Sequence, residues 1–225
     1  GENPYTVYFA ARFDRPFDAC GTWKGMDFTT DSLREGANVG AWSEFVLPQC
    51  GEVGLRVAIS YVSTGQAWQN MESTAGRDFD GVRNAAHSIW NRSLGLLRVE
   101  GGTPELKTVF YTGLYHALTM PTDLGTDENP GWSSDQRHFW DFYTLWDTYR
   151  TVMPLYTLIM PERQREIVRC LLDIYDHRGW LPDAWTAGDY AYVQGGSNAD
   201  VVIADAVVKK LGGFDVAHAY EAVKK

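Results

Sequence analysis

Near the start of the chain, apolar and polar residues alternate in the pattern of strands that bury one face. Between residues 5 and 13 every second position is apolar, namely Tyr5, Val7, Phe9, Ala11 and Phe13. Residues 55–61 repeat the pattern with Leu55, Val57, Ile59 and Tyr61. A period of two predicts half-buried antiparallel strands. Because isolated strand pairs are marginally stable, we expect a larger, sandwich-like sheet, with further strands outside this chain.

From about residue 64 the apolar positions follow the period of an α-helix. The pattern predicts helices over residues 64–76, 78–94, 103–120, 141–160, 161–177, 199–211 and 215–225. Asp78 or Asp80 suits the N-cap of the second helix, and Thr103-Pro104 is a typical start of the third. We expect Pro154 to kink the helix over 141–160. Two polar stretches, 121–139 and 179–199, are predicted to be long loops, which are often functional.

These patterns predict an α+β multidomain fold. Residues 1–63 are the C-terminal part of a β-sandwich, and 64–102 are a helical linker with a short strand over 96–100. Residues 103–225 are part of a toroid of inner and outer helices, about half of an (α/α)6 toroid. An incomplete sandwich and toroid leave apolar faces uncovered, so we expect the isolated chain to be poorly soluble or to self-associate.

Charge and hydropathy exclude several classes of function. The formal net charge is -9, and no run of Lys or Arg is longer than two residues. Binding to nucleic acid or to an anionic membrane surface needs a basic face, which this composition does not favour. No apolar run approaches the roughly 18 residues of a membrane-spanning helix. The chain is therefore predicted to bind neither nucleic acid nor membrane.

Cysteine and histidine spacing indicates no metal site of a known pattern. The three Cys, at positions 20, 50 and 170, form no CxxC pair, and the five His show no metal spacing. Cys20 and Cys50 are consistent with a disulfide in an oxidising compartment and equally with unpaired thiols. A nucleophile elbow, a phosphate-binding loop and a dinucleotide fingerprint are all absent from the sequence.

Aromatic residues and carboxylates concentrate in residues 138–150, HFWDFYTLWDTYR. The chain as a whole has nine Trp, twelve Tyr and ten Phe. Rings stack on the C–H faces of sugars, while carboxylates such as Asp141 and Asp147 accept hydrogen bonds from hydroxyl groups. A core helix rich in aromatic side chains produces the same pattern, so sugar binding and packing both remain open here.

Two further features allow both a structural and a functional interpretation. Asp147 and Arg150 are one helical turn apart, so they can form an ion pair, or Asp147 can accept ligand hydroxyls beside Trp146. In the second loop, Gly195-Gly196 permits close approach of a ligand, and Asn198 suits either a helix cap or a ligand contact.

Several stretches together resemble glycoside hydrolase family 92, the calcium-dependent exo-acting α-mannosidases. Their order and spacing cover nearly the whole chain. They are Tyr8–Ala11 with Phe17 and Gly21-Thr22-Trp23, VAISYVS (57–63), FYTGLYHAL (110–118), FYTLWDTYRT (142–151), PLYTLIMPE (154–162), GWLPDAW (179–185) and QGGSNADVVIADAVVKKLGGFD (194–215).

The resemblance implies a β-sandwich, helical linkers and an (α/α)6 toroid. It also implies release of terminal α-linked mannose from α-mannoside glycans such as N-glycans, in an extracellular, periplasmic or cell-surface compartment. In an inverting mechanism one carboxyl protonates the leaving oxygen and a second carboxylate activates water, the two lying about 6.5–9.5 Å apart. Calcium would hold the mannose hydroxyls.

The family's acid lies in a Gly-Asn-Glu-Pro type motif and its base in a Gly-Asn-Asp type motif, and neither occurs in these 225 residues. The main calcium ligands are expected outside this chain as well. Trp146 and Asp147 match the family's LWDT motif, so the resemblance implies that they help to hold the terminal mannose. Arg150, Asn198 and Asp200 correspond more loosely to pocket-lining positions. We therefore expect a fragment that is inactive alone.

Two alternatives remain. The first is a different helical-toroid glycosidase or lyase in which Asp147 or Asp183 is itself catalytic. The second is a non-catalytic carbohydrate-binding module that uses the aromatic residues as a platform.

Overall fold

The computed structural model describes residues 5–142, 144–192 and 195–225 of the chain, and it shows a mixed helix and sheet fold. The strands are β1 (Tyr8–Phe13), β2 (Ala19–Lys24), β3 (Asp27–Thr29), β4 (Val39–Glu44), β5 (Leu55–Ser60), β6 (Thr122–Gly125), β7 (His138–Trp140), β8 (Trp185–Thr186) and β9 (Asp189–Tyr190). The helices are α1 (Thr64–Glu72), α2 (Phe79–Leu94), α3 (Pro104–Leu118), α4 (Leu145–Thr148), α5 (Val152–Ile159), α6 (Pro161–Arg178), α7 (Asn198–Val208) and α8 (Val216–Lys224).

The two strands predicted from alternation pair with each other. β1 and β5 are antiparallel, with Phe9 opposite Ile59 and Ala11 opposite Val57. These apolar residues share one face, and Phe9 is 66% exposed, Val57 54% and Ile59 50%. The prediction of strands is confirmed, and the exposure of this apolar face within the described chain agrees with the expectation that an incomplete sandwich leaves apolar faces uncovered.

The opposite face of the β1–β5 pair is the buried one, because α1 packs on it. The residues at the centre of this face are small: Ala10 joins Ala67 and Met71 of α1 in a buried cluster, and Ala58 packs against it. At the edge, Arg12 forms an ion pair with Glu72 at 3.0 Å. Small side chains let the helix approach the strands closely.

A second sheet has the order β3-β2-β4. A Cβ at Gly40 on β4 would lie 2.4 Å from the indole of Trp23 on β2, so only glycine leaves room for that ring. Cys20, on β2, and Cys50 are both free and exposed, which agrees with the unpaired-thiol interpretation.

Side-chain caps fix the starts of the first helices. The Ser63 hydroxyl accepts from the amide of Gln66 at the start of α1, and Asp78 accepts from Gly81 at the start of α2. Thr103 caps α3, and Pro104 occupies its first turn, as predicted. Each cap satisfies an amide that has no partner within its helix.

Residues 96–100, predicted as the short strand of the linker, form no strand. No neighbouring strand pairs with them in the described chain. Instead the Tyr111 hydroxyl donates to the Leu97 carbonyl at 3.1 Å and accepts from the Val99 amide at 3.4 Å. A side chain on α3 therefore supplies the hydrogen bonds that a partner strand would have supplied.

The single helix predicted over 141–160 is wrong. The structure has α4 and α5 instead, separated at residues 149–151. Pro154 explains the break, because proline has no amide to donate to the carbonyl of Arg150 and its ring clashes with that carbonyl in a continuous helix. With α5 beginning at Val152, Pro154 falls in the first turn, where no such bond is needed.

The loop predicted over 121–139 is also wrong in part. β6 and β7 lie at its two ends and pair antiparallel, with Thr122 opposite Trp140. β7 also begins the aromatic stretch, where His138, Phe139, Trp140 and Phe142 are buried. The packing interpretation is therefore correct for this part of the stretch, although the residues form a strand rather than a helix.

The main core lies among α5, α6, α7 and the segments packed on them. As predicted, α6 turns Ile167, Leu171 and Ile174 inward, and Gly179 ends it with a left-handed φ of 86°. The larger members of this core are Phe139, Phe142, Leu145, Met153, Tyr156, Ile167, Leu171, Ile174 and Trp185. This core supports the loops in which the candidate site lies. Among the described residues, no helix combines the length and apolarity needed to cross a membrane.

Candidate functional site

Asp183 joins the starts of two helices that carry the predicted site residues. Its carbonyl accepts a hydrogen bond of 2.9 Å from the amide of Leu145, the first residue of α4. Its side-chain Oδ1 accepts from both the backbone amide and the side-chain Nδ2 of Asn198, at 2.9 and 3.0 Å. Asn198 is the first residue of α7. The LWDT segment and the GGSNAD segment are therefore fixed to the same aspartate.

Gly196 allows the loop to pass this junction. A Cβ at that position would lie 2.5 Å from Nδ2 of Asn198 and 3.4 Å from Oδ2 of Asp183. A larger residue would crowd the side-chain amide of Asn198, which donates to Asp183. The second glycine of the QGGSN motif thus leaves room for the hydrogen bond between the two polar side chains.

One carboxylate oxygen of this junction has no partner. Asp183 Oδ2 is buried and accepts no hydrogen bond from the residues that the structure describes. A buried oxygen without a donor is costly, because it loses its hydration without replacement. A ligand hydroxyl that donates to Oδ2 would remove that cost.

Asp200 lies on the same helix start, and its electrostatic environment is unusual. Burial raises the pKa of its carboxyl, a hydrogen bond with Ser197 opposes that rise, and the nearby charge of Asp183 adds to it. The two carboxylates therefore repel each other electrostatically. A group that neutralises them or donates hydrogen bonds to them would stabilise the pair.

Asp147 and Arg150 do not form the ion pair that was one of the two interpretations of their spacing. Asp147 is exposed, and its Oδ2 accepts from the Thr144 hydroxyl at 2.7 Å. The guanidinium of Arg150 lies over the ring of Tyr149, 4.7 Å from its centroid. Because α4 ends at Thr148, the one-turn spacing on which the prediction rested is not present. Asp147 is left with an accessible carboxylate, as its functional interpretation requires.

The structure thus connects four of the five predicted residues. Asn198 and Asp200 lie with Asp183 at the start of α7, and Trp146 and Asp147 follow directly on the residue that Asp183 holds. Trp146 is half-buried. Arg150 is exposed, and its described contact is with Tyr149. Tyr143 and Gln194, which belong to the predicted motifs, lie outside the described residues.

Asp183 is the residue of the candidate site that the sequence prediction placed only among the alternatives. Its sequence signal is weak, since GWLPDAW reads as a loop with one carboxylate. What makes it central is contact with residues at positions 145 and 198, which no local pattern reveals.

Other carboxylates of the aromatic stretch and the second loop have structural partners. Asp141 accepts from the Thr122 hydroxyl at 3.3 Å, and its amide donates to the Trp185 carbonyl at 2.9 Å. Asp189 forms an ion pair with Arg178. Among the described residues, no group of three or more His, Cys, Asp or Glu is arranged to hold a metal ion. These residues do not by themselves fit a calcium site.

Residues 66–225 match the family model described as the glycosyl hydrolase family 92 catalytic domain. The chain belongs to glycoside hydrolase family 92. A curated relative, an uncharacterized secreted glycosidase of Arthroderma benhamiae, is 36% identical over 179 residues, which are 77% of this chain and 20% of that protein. The resemblance inferred from the motifs is confirmed, and the family to which the chain belongs is a family of enzymes.

Solved structures of the family share the fold. A family GH92 inverting mannosidase of Bacteroides thetaiotaomicron VPI-5482 superposes with a TM-score of 0.87 at 27% identity, over 98% of this chain and 31% of that one. A family GH92 α-mannosidase of Bacteroides thetaiotaomicron gives 0.83 at 28% identity, over 98% and 32%. The same α-mannosidase in complex with mannoimidazole gives 0.83 at 28% identity, over 98% and 31%. The chain thus spans about a fifth of the curated relative and about a third of the solved chains.

Proposed function

We propose that this chain is part of a glycoside hydrolase that releases terminal α-linked mannose by an inverting, calcium-assisted mechanism, and that it contributes residues that hold the terminal mannose. The observation that carries the proposal is the Asp183 junction. It sets the LWDT segment, with Asp147, beside Asn198 and Asp200, and it presents a buried carboxylate oxygen that has no donor among the described residues. The inverting outcome is supported by the family and by the relative described as an inverting mannosidase.

Each residue has a definite task in this proposal. Asp147 accepts hydrogen bonds from mannose hydroxyls through its exposed carboxylate, and Asp183 Oδ2 accepts another. The Trp146 ring packs on the C–H face of the sugar. Asn198 fixes the position of Asp183 through its two hydrogen bonds, and the carboxylate of Asp200 adds negative charge to the site. These contacts orient the sugar for attack at the anomeric carbon.

Calcium is part of the proposal through the family alone. When bound, the ion would polarise the mannose hydroxyls that it ligates. The described residues of this chain do not form a site for it by themselves. The tasks of Asp147, Asp183 and Trp146 given above do not depend on it.

The proposed substrates are α-mannoside glycans, N-glycans included. The Arthroderma relative is described as a secreted glycosidase. We propose by extension that this protein acts in an extracellular, periplasmic or cell-surface setting, where such glycans are displayed.

The direct test is binding of methyl α-mannoside measured by titration calorimetry, comparing the unchanged chain with Asp147→Asn. Asparagine keeps the size but removes the charged acceptor, and charge-assisted hydrogen bonds are worth about 1.5–3 kcal/mol. We expect the affinity to fall by roughly tenfold or more. Asp31→Asn, at another exposed aspartate, serves as the matched control and should leave the affinity unchanged. Equal affinities for Asp147→Asn and the unchanged chain would contradict the proposal.

A turnover assay tests the roles assigned to the carboxylates. With an aryl α-mannoside we expect binding without release of mannose by residues 1–225, with calcium or with a chelator, because the family's acid and base motifs do not occur in them. Any mannose released should appear first as the β-anomer in proton NMR, as inversion requires.

A second candidate is a toroid glycosidase that uses carboxylates of this chain for catalysis. The raised pKa of Asp200 beside Asp183 favours it, since paired carboxyls in different environments are typical of acid and base partners. Turnover by this chain that is lost in both Asp200→Asn and Asp183→Asn would support it and overturn the roles proposed above.

A further inference from the structure

A cleft of about 1030 Å³ lies apart from the Asp183 junction. One wall comes from the strand end and helix at Tyr61 and Gln66, the other from the loop at residues 126–134 and the tip of the β8–β9 hairpin at residues 187–189. None of Trp146, Asp147, Asn198 or Asp200 lines it. The volume is at the upper end of the roughly 300–1,000 Å³ typical of ligand pockets, so it exceeds the needs of one hexose.

A buried carboxylate holds one end of the loop that lines this cleft. Glu128 is buried, and its Oε2 accepts from the Ser60 hydroxyl at 2.9 Å and the Tyr61 amide at 2.8 Å. Its Oε1 accepts from Nδ2 of Asn70 on α1 at 2.5 Å. The loop is thereby fixed to the strand and helix that form the opposite wall.

A second buried carboxylate holds the other end. Asp173, on α6, accepts from Nε1 of Trp132 at 2.7 Å and from the Ser134 hydroxyl at 2.8 Å, and both donors line the cleft. The ring of His177 stacks on Trp132 with centroids 4.9 Å apart. Asn129 closes the turn between the two anchors by accepting from the Gly131 amide at 3.1 Å. The cleft wall is therefore ordered before any ligand arrives, which lowers the entropic cost of binding.

The chemistry of the walls selects a neutral, hydroxyl-rich ligand. Among the lining residues, none is Lys or Arg, so an anionic ligand has no counter-charge. The charged lining residues are Asp127 and Asp189, and Asp189 is paired with Arg178. Tyr61 and Trp132 supply aromatic surface, while Gln69 and Ser133 are exposed amide and hydroxyl groups on opposite walls. Rings with amides and hydroxyls are suited to sugar rings.

The cleft and the Asp183 junction share one loop. The hairpin tip begins at Ala187, four residues after Asp183, which is at most about 14 Å along an extended chain. We propose that the cleft binds the neutral sugar units that lie beyond the terminal mannose, so that it recognises the glycan chain rather than the residue that is removed. The choice of a manno-oligosaccharide as ligand rests on the proposed function.

The main test compares two neutral sugars on four forms of the whole chain by titration calorimetry, and an anionic trisaccharide serves as a further probe. The sugars are an α-linked mannotriose and methyl α-mannoside. The forms are the unchanged chain, Gln69→Ala with Ser133→Ala in the cleft, Ser32→Ala with Gln49→Ala as the matched exposed control, and Asp147→Asn. Near-ultraviolet circular dichroism checks that each form is folded.

We expect the cleft double variant to bind mannotriose roughly tenfold more weakly, because two hydrogen bonds of about 0.5–1.5 kcal/mol each are lost. Its affinity for methyl α-mannoside should be unchanged, and the control should match the unchanged chain for both sugars. A cleft variant with full affinity for mannotriose would overturn the proposal. Equal affinities of the unchanged chain for mannotriose and methyl α-mannoside would overturn it as well.

The Asp147→Asn form separates this proposal from the proposed function. If Asp147→Asn lowers the affinity for both sugars, the result supports the terminal-mannose site. If Asp147→Asn leaves both affinities unchanged while the cleft variant lowers the affinity for mannotriose, the terminal-mannose site is wrong. The proposal that the cleft binds sugar is then still supported. A trimer of galacturonic acid should bind more weakly than mannotriose, and tighter binding would overturn the assignment to neutral sugars.

Discussion

The β1–β5 pair and helix α6 each carry an apolar face, but the surroundings of the two faces are opposite. On α6 the inward positions are fully covered, and Leu171 is 0% exposed. On the β1–β5 pair the apolar set at Phe9, Val57 and Ile59 faces outward in the described chain. A pattern reports which face of an element is apolar. It does not report whether the covering element lies within the same chain.

The difference also shows where the stability of this chain resides. Helices α5 to α7 bury side chains against one another, whereas α2 has no buried residue. Burial of apolar surface is the main stabilising contribution to a fold. We therefore expect the α6 core to dominate the free energy of unfolding, and the open sheet face to contribute little.

The largest expected effect comes from removing a core side chain. Leu171→Ala should lower the free energy of unfolding by about 2–5 kcal/mol, because it deletes buried methyl groups and leaves a cavity. Leu55→Ala, on the sheet face where Leu55 is 56% exposed, should change it by less than about 1 kcal/mol. Urea denaturation measures both. Equal losses would mean that the two regions do not differ as described.

A smaller effect is expected where the two regions meet at Glu128. Glu128→Gln replaces a carboxylate that accepts from Ser60, Tyr61 and Asn70, and one amide oxygen cannot satisfy all three donors. Leaving buried donors without an acceptor costs about 1–3 kcal/mol. Asp127→Asn, at the exposed neighbouring residue, is the control and should be near neutral. A Glu128→Gln chain as stable as the control would show that this contact does not tie the regions together.

The smallest effect is a pH dependence within the core. Burial lowers the pKa of His138, the nearby Asp173 opposes that shift, and His177 adds to it. A lowered pKa means that the folded state prefers neutral His138. The resulting stability is full above the ordinary histidine pKa of about 6.5 and is lost as the pH falls through the folded value.

His138→Phe should therefore flatten the fall in stability on acidification, as measured by urea denaturation at a series of pH values. His87→Phe, at an exposed histidine, should leave the slope as it is in the unchanged chain. An identical slope in His138→Phe would contradict the assignment.

Local signals in the sequence predicted much of the fold. Thr103-Pro104 and Gly179 marked helix ends correctly because capping depends on adjacent residues. The break at 149–151 was misplaced, since the effect of Pro154 falls on the carbonyl four residues earlier. The short strands β6 and β7 escaped prediction, because three or four residues are too few to show a period.

The candidate site was predictable only in part. The LWDT and GGSNAD motifs pointed to Asp147, Asn198 and Asp200, but the ion pair from Asp147 to Arg150 assumed a helix that the chain does not form. The role of Asp183 arises from hydrogen bonds to residues distant in sequence. Such contacts leave no periodic or motif signal.

Binding of the terminal mannose at the Asp183 junction is tested by a chemical-shift titration of the 15N-labelled chain with methyl α-mannoside. We expect saturable shifts at the amides of Leu145, Asn198 and Asp200, together in one binding curve, with the amides of Phe9 and Val57 on the open sheet face unaffected. Shifts confined to the sheet face, or no shift at the three site amides in the folded chain, would contradict the claim that the Asp183 junction holds the terminal mannose.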